Sequence, residues 1–168
     1  VEVKNIAFID GQNLVASTAH MKDPWRIDLK KFRIFLSEKY KVIKAYYFIG
    51  VYDNKQDKLY QFLKKSGYTV VFREHPKNSK GKKKGNVDTD IVFSIMDTVY
   101  RKKTEGKIIL VSGDGDYKKM VSRLAADRKF RAIMFPSKYW SSLYNTLDDK
   151  YKIRLYVAEI RKYLELKR

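Results

Sequence analysis

The sequence predicts an α/β fold, a three-layer α/β/α sandwich with a mainly parallel central sheet. Three observations carry this. Short apolar runs rich in β-branched and aromatic residues alternate with helically spaced segments from end to end of the chain. Residues suited to turns and caps fall where the pattern changes. The 168 residues are 44% hydrophobic, enough for one buried core, and neither an internal repeat nor a Pro/Gly/Ser-rich linker divides them. Residues 1–168 therefore read as one domain, with right-handed crossovers and helices on both faces of the sheet.

The first strand is expected over residues 3–9. Residues 11–27, with Pro24 and Trp25, show no regular pattern and read as a mobile loop. Leu29, Phe32 and Leu36 mark the first helix, which Asp28 can cap. After a second strand over 42–49, Asp53 can cap a helix marked by Leu59, Phe62 and Leu63, which Gly67 should stop. The third strand is expected over 68–72. Residues 76–86, PKNSKGKKKGN, lack any hydrophobic residue and read as a second mobile connection. A crossover helix opens near Asn86, and a fourth strand covers 107–111. Tyr117, Met120, Val121 and Leu124 mark a further helix, for which Asp116 is well placed as N-cap. A fifth strand covers 130–135, a weaker run lies at 152–156, and a terminal helix is expected at about 157–167. Tyr139, Trp140 and Tyr144, and likewise Trp25, read first as core aromatics and second as stacking surfaces for unpaired bases.

Composition narrows the function classes. There are 37 Lys and Arg against 19 Asp and Glu, a formal charge of +18, which predicts a polyanionic partner. Nucleic acid is favoured over anionic lipid because the lysines are spread through every predicted element and not gathered on one amphipathic helix. The 14% aromatic content argues against disorder. Absence of cysteine excludes a disulfide framework, a thiolate metal site and a cysteine nucleophile. The two histidines, His20 and His75, fall in predicted loops, which speaks against a histidine-rich zinc site and against a two-histidine acid–base ribonuclease. No run approaches the ~18 apolar residues of a membrane span, and the start VEVKNIAFIDG does not read as a signal peptide. The expectation is a soluble cytoplasmic protein with no membrane association; a homodimer or another protein partner is left open.

Within so basic a chain the acidic positions are informative. Asp10 follows the first strand in FIDGQN, and Asp114 and Asp116 follow the fourth in ILVSGDGDY. Functional groups of an open parallel sheet gather beyond the carboxyl ends of its strands, at the point where connections diverge. With strand order 3-2-1-4-5, these aspartates would face each other across that crevice. In the helix GNVDTDIVFSIMDTVY, turning ~100° per residue, Ile91, Val92, Ile95 and Val99 lie within about 60° of Asp88. Asp88 thus heads the core-facing stripe. Asp90 and Asp97 lie about 160° to 200° away; Asp90 can still reach the cleft rim, whereas Asp97 reads as solvated. Like charges ~4 Å apart repel by about 4 kcal/mol at an effective dielectric of 20, so four converging carboxylates need compensation. A proton on one of them would serve; a hard divalent cation, magnesium or manganese, is the more economical answer. Lys77, Lys80, Lys82, Lys83 and Lys84 immediately precede Asp88 and would clamp phosphates at the entrance, extended by Arg73 and Arg123.

The motifs FIDGQN, KGNVDTD and SGDGDY, in that order, resemble those of the NYN domain family of PIN-like nucleases, over roughly residues 3–155. The resemblance implies a PIN-like sandwich with the strand order above and metal-dependent cleavage of single-stranded or structured RNA, leaving a 5′-phosphate. It implies that Asp10, Asp88, Asp114 and Asp116 hold magnesium or manganese directly or through water, supported by Asn13 and Ser112.

Simpler readings stand beside these. Asp10 and Asp114 suit tight turns, and Asp88 suits the first turn of a helix. A non-catalytic RNA-binding or scaffold module with a vestigial acidic cleft is the alternative function. A haloacid-dehalogenase-like phosphatase is excluded, because Gln12 stands where that chemistry needs a second aspartate. A topoisomerase-primase-like domain would have a glutamate where Asp10 stands. The nucleotide loops G-x-x-x-x-G-K-[ST] and G-x-G-x-x-G are absent.

Overall fold

Short runs apolar at every position are the mark of strands covered on both faces, and they form the centre of this protein. A computed structural model describes residues 2–74 and 87–167. His75, Lys77, Lys80, Lys82, Lys83 and Lys84, and with them the expected phosphate clamp, lie outside the described residues. The strands are β1 (Asn5–Asp10), β2 (Val42–Phe48), β3 (Tyr68–Val71), β4 (Ile108–Val111), β5 (Phe130–Phe135) and β6 (Lys152–Arg154). The helices are α1 (Gly11–Ala19), α2 (Leu29–Tyr40), α3 (Asp57–Lys65), α4 (Val87–Tyr100), α5 (Lys118–Ala126) and α6 (Ala158–Leu164). The sheet runs β3-β2-β1-β4-β5-β6, every pairing parallel, so the expected order is kept and extended by β6.

Side chains of a strand alternate between faces, and β1, buried at all six positions, shows what that does. Ile6 and Phe8 pack with Ile91 and Ile95 of α4 and Val121 and Leu124 of α5. Ala7 and Ile9 pack on the other side with Leu14 of α1, Phe32 and Leu36 of α2, Leu63 of α3 and Leu164 of α6. These are the three layers. Asp10 shares the parity of Ile6 and Phe8 and so belongs to the α4/α5 side.

Two expectations need correction. Residues 11–19 are helical and only 20–27 are irregular: Asp10 Oδ1 accepts the Asn13 N–H at 3.0 Å, which caps α1, and Leu14 and Thr18, one turn apart, are buried. Trp25 is only 3% exposed, which removes it as a stacking surface. A terminal strap covers it. Asp28 N–H donates to Leu164 O and Leu166 N–H to Arg26 O, both at 2.8 Å. Arg161 lies 5.4 Å from the centre of the Trp25 ring and pairs with Asp23 and Glu165. In α3 the inward residues are Tyr60 and Leu63, while Leu59 and Phe62 are exposed. Asp53 caps a preceding 3₁₀ turn (Asn54–Gln56) instead of α3 itself, and its N–H donates to the Tyr60 hydroxyl, which sets Tyr60 inward. Gly67, at φ +100°, follows the end of α3 as expected.

Gly11 allows α1 to leave the sheet where it does. A Cβ there would lie 2.4 Å from Tyr47 Cε1 and 2.7 Å from Phe48 O. Gly11→Ala is expected to lower stability by about 1–3 kcal/mol through overpacking, read as a lower urea midpoint with unchanged slope.

Candidate active site

Because β1 and β4 are paired neighbours, with Ile9 opposite Val111, the residues just beyond them meet. Ser112 Oγ donates to Asp10 Oδ2 at 3.4 Å and accepts the Asp114 N–H at 3.1 Å. Asn13 Oδ1 accepts the Gly113 N–H at 2.9 Å. FIDGQN and SGDGDY are thereby stitched together across the sheet. Asp114 Oδ1 accepts the Asp116 N–H at 2.9 Å and caps a 3₁₀ turn (Gly115–Tyr117). The cap expected of Asp116 is therefore supplied by Asp114, and α5 itself has no side-chain cap.

One oxygen each of Asp88, Asp114 and Asp116 lies within 4.8 Å of the others. Asp88 and Asp114 are half-buried and Asp116 is exposed. Asp10 is not a member of this set. It lies beneath at 4% exposure, lining with Gln12, Asn13, Asp88 and Asp114 a cleft of about 310 Å³. Asp88, Asp114 and Asp116 converge, and Asp10, whose oxygens accept from Asn13, Ser112 and Tyr117, lines the same cleft. The donors are all hard carboxylate oxygens, the chemistry that holds a hard divalent cation.

Tyr117, fully buried, joins the layers: its hydroxyl lies 2.7 Å from Asp88 Oδ1 and 3.1 Å from Asp10 Oδ2. It has one proton and so donates to one of them at a time. Burial raises the Asp88 carboxyl above its ordinary value, and the charges of Asp114, Asp10 and Asp116 add to this against the Tyr117 hydrogen bond. Burial likewise raises Asp10, reinforced by Asp114 and opposed by hydrogen bonds from Asn13, Tyr117 and Ser112. Burial first, and then the two aspartates, push the Tyr117 hydroxyl up, so it remains a donor. Tyr144, also buried, donates to the Asp114 carbonyl. Sequence spacing marked Tyr117 only as an apolar helix position; the available signal was that a buried phenol needs a partner and that its neighbours in SGDGDY are carboxylates.

The other singled-out residues stand apart. Asp90 is half-buried on α4 and outside the converging set. Asp97 is half-buried, its side chain 21% exposed, and pairs with Arg101 and Lys103. Arg123 pairs with Asp127 at 3.0 Å. Trp140 stacks on Phe135 at 4.6 Å and Tyr144 is in the core, which leaves Tyr139, 59% exposed, as the open aromatic of that segment. His20 is exposed, its Nδ1 2.6 Å from Ala16 O.

The raised Asp88 carboxyl has a defined consequence for stability. Between its unfolded value near 3.8 and its higher folded value, the folded state holds more proton, so the contribution is present below that window and lost as pH rises through it. In chelator, Asp88→Asn is expected to be more stable than wild type at neutral pH, with the gain vanishing below that window; urea unfolding of both across pH checks this.

Over 128 aligned residues the chain is 28% identical to Low amplitude and bright protein LabA of Synechococcus elongatus, covering 71% of this chain and 66% of LabA, just under two thirds of that protein's length. The crystal structure of a protein of unknown function, VPA0982, from Vibrio parahaemolyticus has the same fold, with a TM-score of 0.75 over 98% of this chain and 97% of that one at 21% identity. The NYN domain family matches residues 5–153, a span that takes in FIDGQN, KGNVDTD, SGDGDY and every carboxylate of the cleft, and the chain belongs to that family.

Proposed function

We propose that this protein is a magnesium- or manganese-dependent ribonuclease that hydrolyses RNA phosphodiester bonds at the Asp88, Asp114 and Asp116 cleft. Membership of the NYN domain family, a group of PIN-like nucleases, supports the reaction class. The observation that carries the reading is three carboxylate oxygens within 4.8 Å of one another in a chain of net charge +18. Left to itself, such a chain gains nothing from gathering its few acids.

Asp88, Asp114 and Asp116 would hold the cation, and Asp10 would act beneath them through the Tyr117 hydroxyl or a water. When bound, the cation supplies a Lewis acid for the phosphodiester oxygens and lowers the pKa of water. Asn13 and Ser112 hold the Gly113–Asp114 backbone against α1 and so fix the carboxylates before substrate arrives; preorganisation of this kind is what makes charge stabilisation effective. The excess positive charge, including Lys77, Lys80, Lys82, Lys83, Lys84, Arg73 and Arg123, would draw the polyanion to the cleft.

Labelled RNA incubated with Mn²⁺, with Mg²⁺ and with chelator tests the proposal. Cleavage is expected only with the cation, and Asp114→Asn should lower it at least about 100-fold, a loss of several kcal/mol of charge stabilisation. A divalent cation at 100 times its dissociation constant should stabilise the fold by ~2.7 kcal/mol, and Asp114→Asn should lose that gain. Equal cleavage by the variant, or none by wild type across varied RNAs, would replace this reading with a binding module.

A further inference from the structure

The carboxyl ends of β2 and β3 carry an aromatic group that the acidic cleft does not use. Tyr52, Tyr60 and Phe72 pack in a triangle, with ring centres 5.5 Å apart for Tyr52–Tyr60, 5.3 Å for Tyr52–Phe72 and 4.8 Å for Tyr60–Phe72. Tyr60 is the buried base of the group. The Tyr52 hydroxyl donates to Asp57 Oδ1, so its polar end is satisfied within the protein, yet the residue is 52% exposed. A single exposed apolar residue is ordinary; a ring pinned at its hydroxyl and backed by two others is a preorganised surface, which loses little freedom when something lies against it.

Its position ties it to the cleft. A Cβ on Gly50 would come within 3.0 Å of Gln12 Nε2, and Gln12 lines the cleft. The Arg73 N–H donates to Gly50 O at 3.1 Å. β3 is two strands from β1, an offset of about 10 Å, or about three nucleotides at the 3.4 Å rise of a stacked strand. Arg73, next to Phe72, has no ion pair among the described residues, and its buried Nη1 makes no hydrogen bond. A net charge of +18 works against a second copy of this chain on the surface and in favour of a polyanion with flat apolar parts. Nucleobases are such parts, and only an unpaired base has a face to offer.

We propose that the Tyr52 ring, braced edge-on by Phe72 and backed by Tyr60, is a stacking platform for an unpaired base of an RNA strand whose backbone runs into the acidic cleft, so that the substrate is single-stranded where it crosses Gly50. The course of the strand rests on the nuclease reading; the stack rests on the rings.

Binding is measured on the full chain in chelator, where no cleavage is needed. The probes are a single-stranded RNA oligonucleotide, versions of it with one abasic residue at each position in turn, and the blunt duplex of the same sequence. Tyr52→Leu should bind the single strand about tenfold more weakly, the effect of one lost stack, with duplex affinity unchanged, and Tyr52→Phe, which keeps the ring but loses the Asp57 tether, should bind between Tyr52→Leu and wild type. One abasic position should erase the difference between Tyr52→Leu and wild type. Tyr52→Trp, should Tyr52→Leu fold poorly, gives a second readout: fluorescence quenched by the intact strand and not by that abasic strand. Equal weakening toward strand and duplex, a deficit that survives every abasic position, or wild type that binds no single strand overturns the platform. A protein that passes this cycle but never cleaves RNA keeps the platform and loses the nuclease reading.

Discussion

The hydroxyl of Tyr117 stands between Asp10 at the end of β1 and Asp88 at the head of α4, and the rest of the cleft is arranged around that contact. It fastens the sheet to the α4/α5 layer where the Asp10 and Asp88 carboxylates share its hydroxyl. A single phenolic proton cannot serve two carboxylate oxygens, and repulsion of about 4 kcal/mol per close pair falls on whichever is left. The neighbouring Asp114 and Asp116 add to the negative field, as the upward push on the Tyr144 hydroxyl by burial and then by Asp114, Asp116 and Asp88 shows. A site of this kind is held together by its surroundings: the Asn13 and Ser112 hydrogen bonds, the cap made by Asp114 and the close seat of Gly11 all resist the spreading that the charges favour.

How much of this was legible in the sequence depends on which force set each element. The sheet was legible because parallel strands buried on both faces leave continuous apolar runs, and residues 130–135 were placed without error. The inward heading of Asp88 was legible because 100° per residue relates it to Ile91 and Ile95 whatever else the fold does. α1 was hidden: in GQNLVASTA most residues are small or polar, and the Asp10 cap on Asn13, a local signal, was read as a turn. The face of α3 was misread because the inward turn of Tyr60 comes from a hydrogen bond to Asp53. At the cleft the residue types and their approach were legible. The division of labour was not, since Asp114 rather than Asp116 takes the cap, and Asp10 is occupied by Tyr117 and Ser112.

Charge acts here at two ranges. The overall excess of cations acts over roughly a Debye length, ~8 Å at physiological ionic strength, and is indifferent to sequence or shape. The aspartate cluster acts within a few ångströms. Between these lies the surface from Gln12 through Gly50 to Tyr52, with Asp57 and Arg73 beside it, where ring geometry would decide what form of polyanion fits.

The strap formed by α6 has a consequence in time. Residues 26 and 28 take their backbone partners from residues 166 and 164, and Arg161 lies over the Trp25 ring. With synthesis at about 5–20 residues per second, that partner appears roughly 7 to 27 s after residue 28 leaves the peptidyl transferase centre. Until then residues 26 and 28 lack those backbone partners and Trp25 lacks its Arg161 contact, whereas the cleft is tied through Asn13, Ser112 and Tyr117, none of which belongs to the strap.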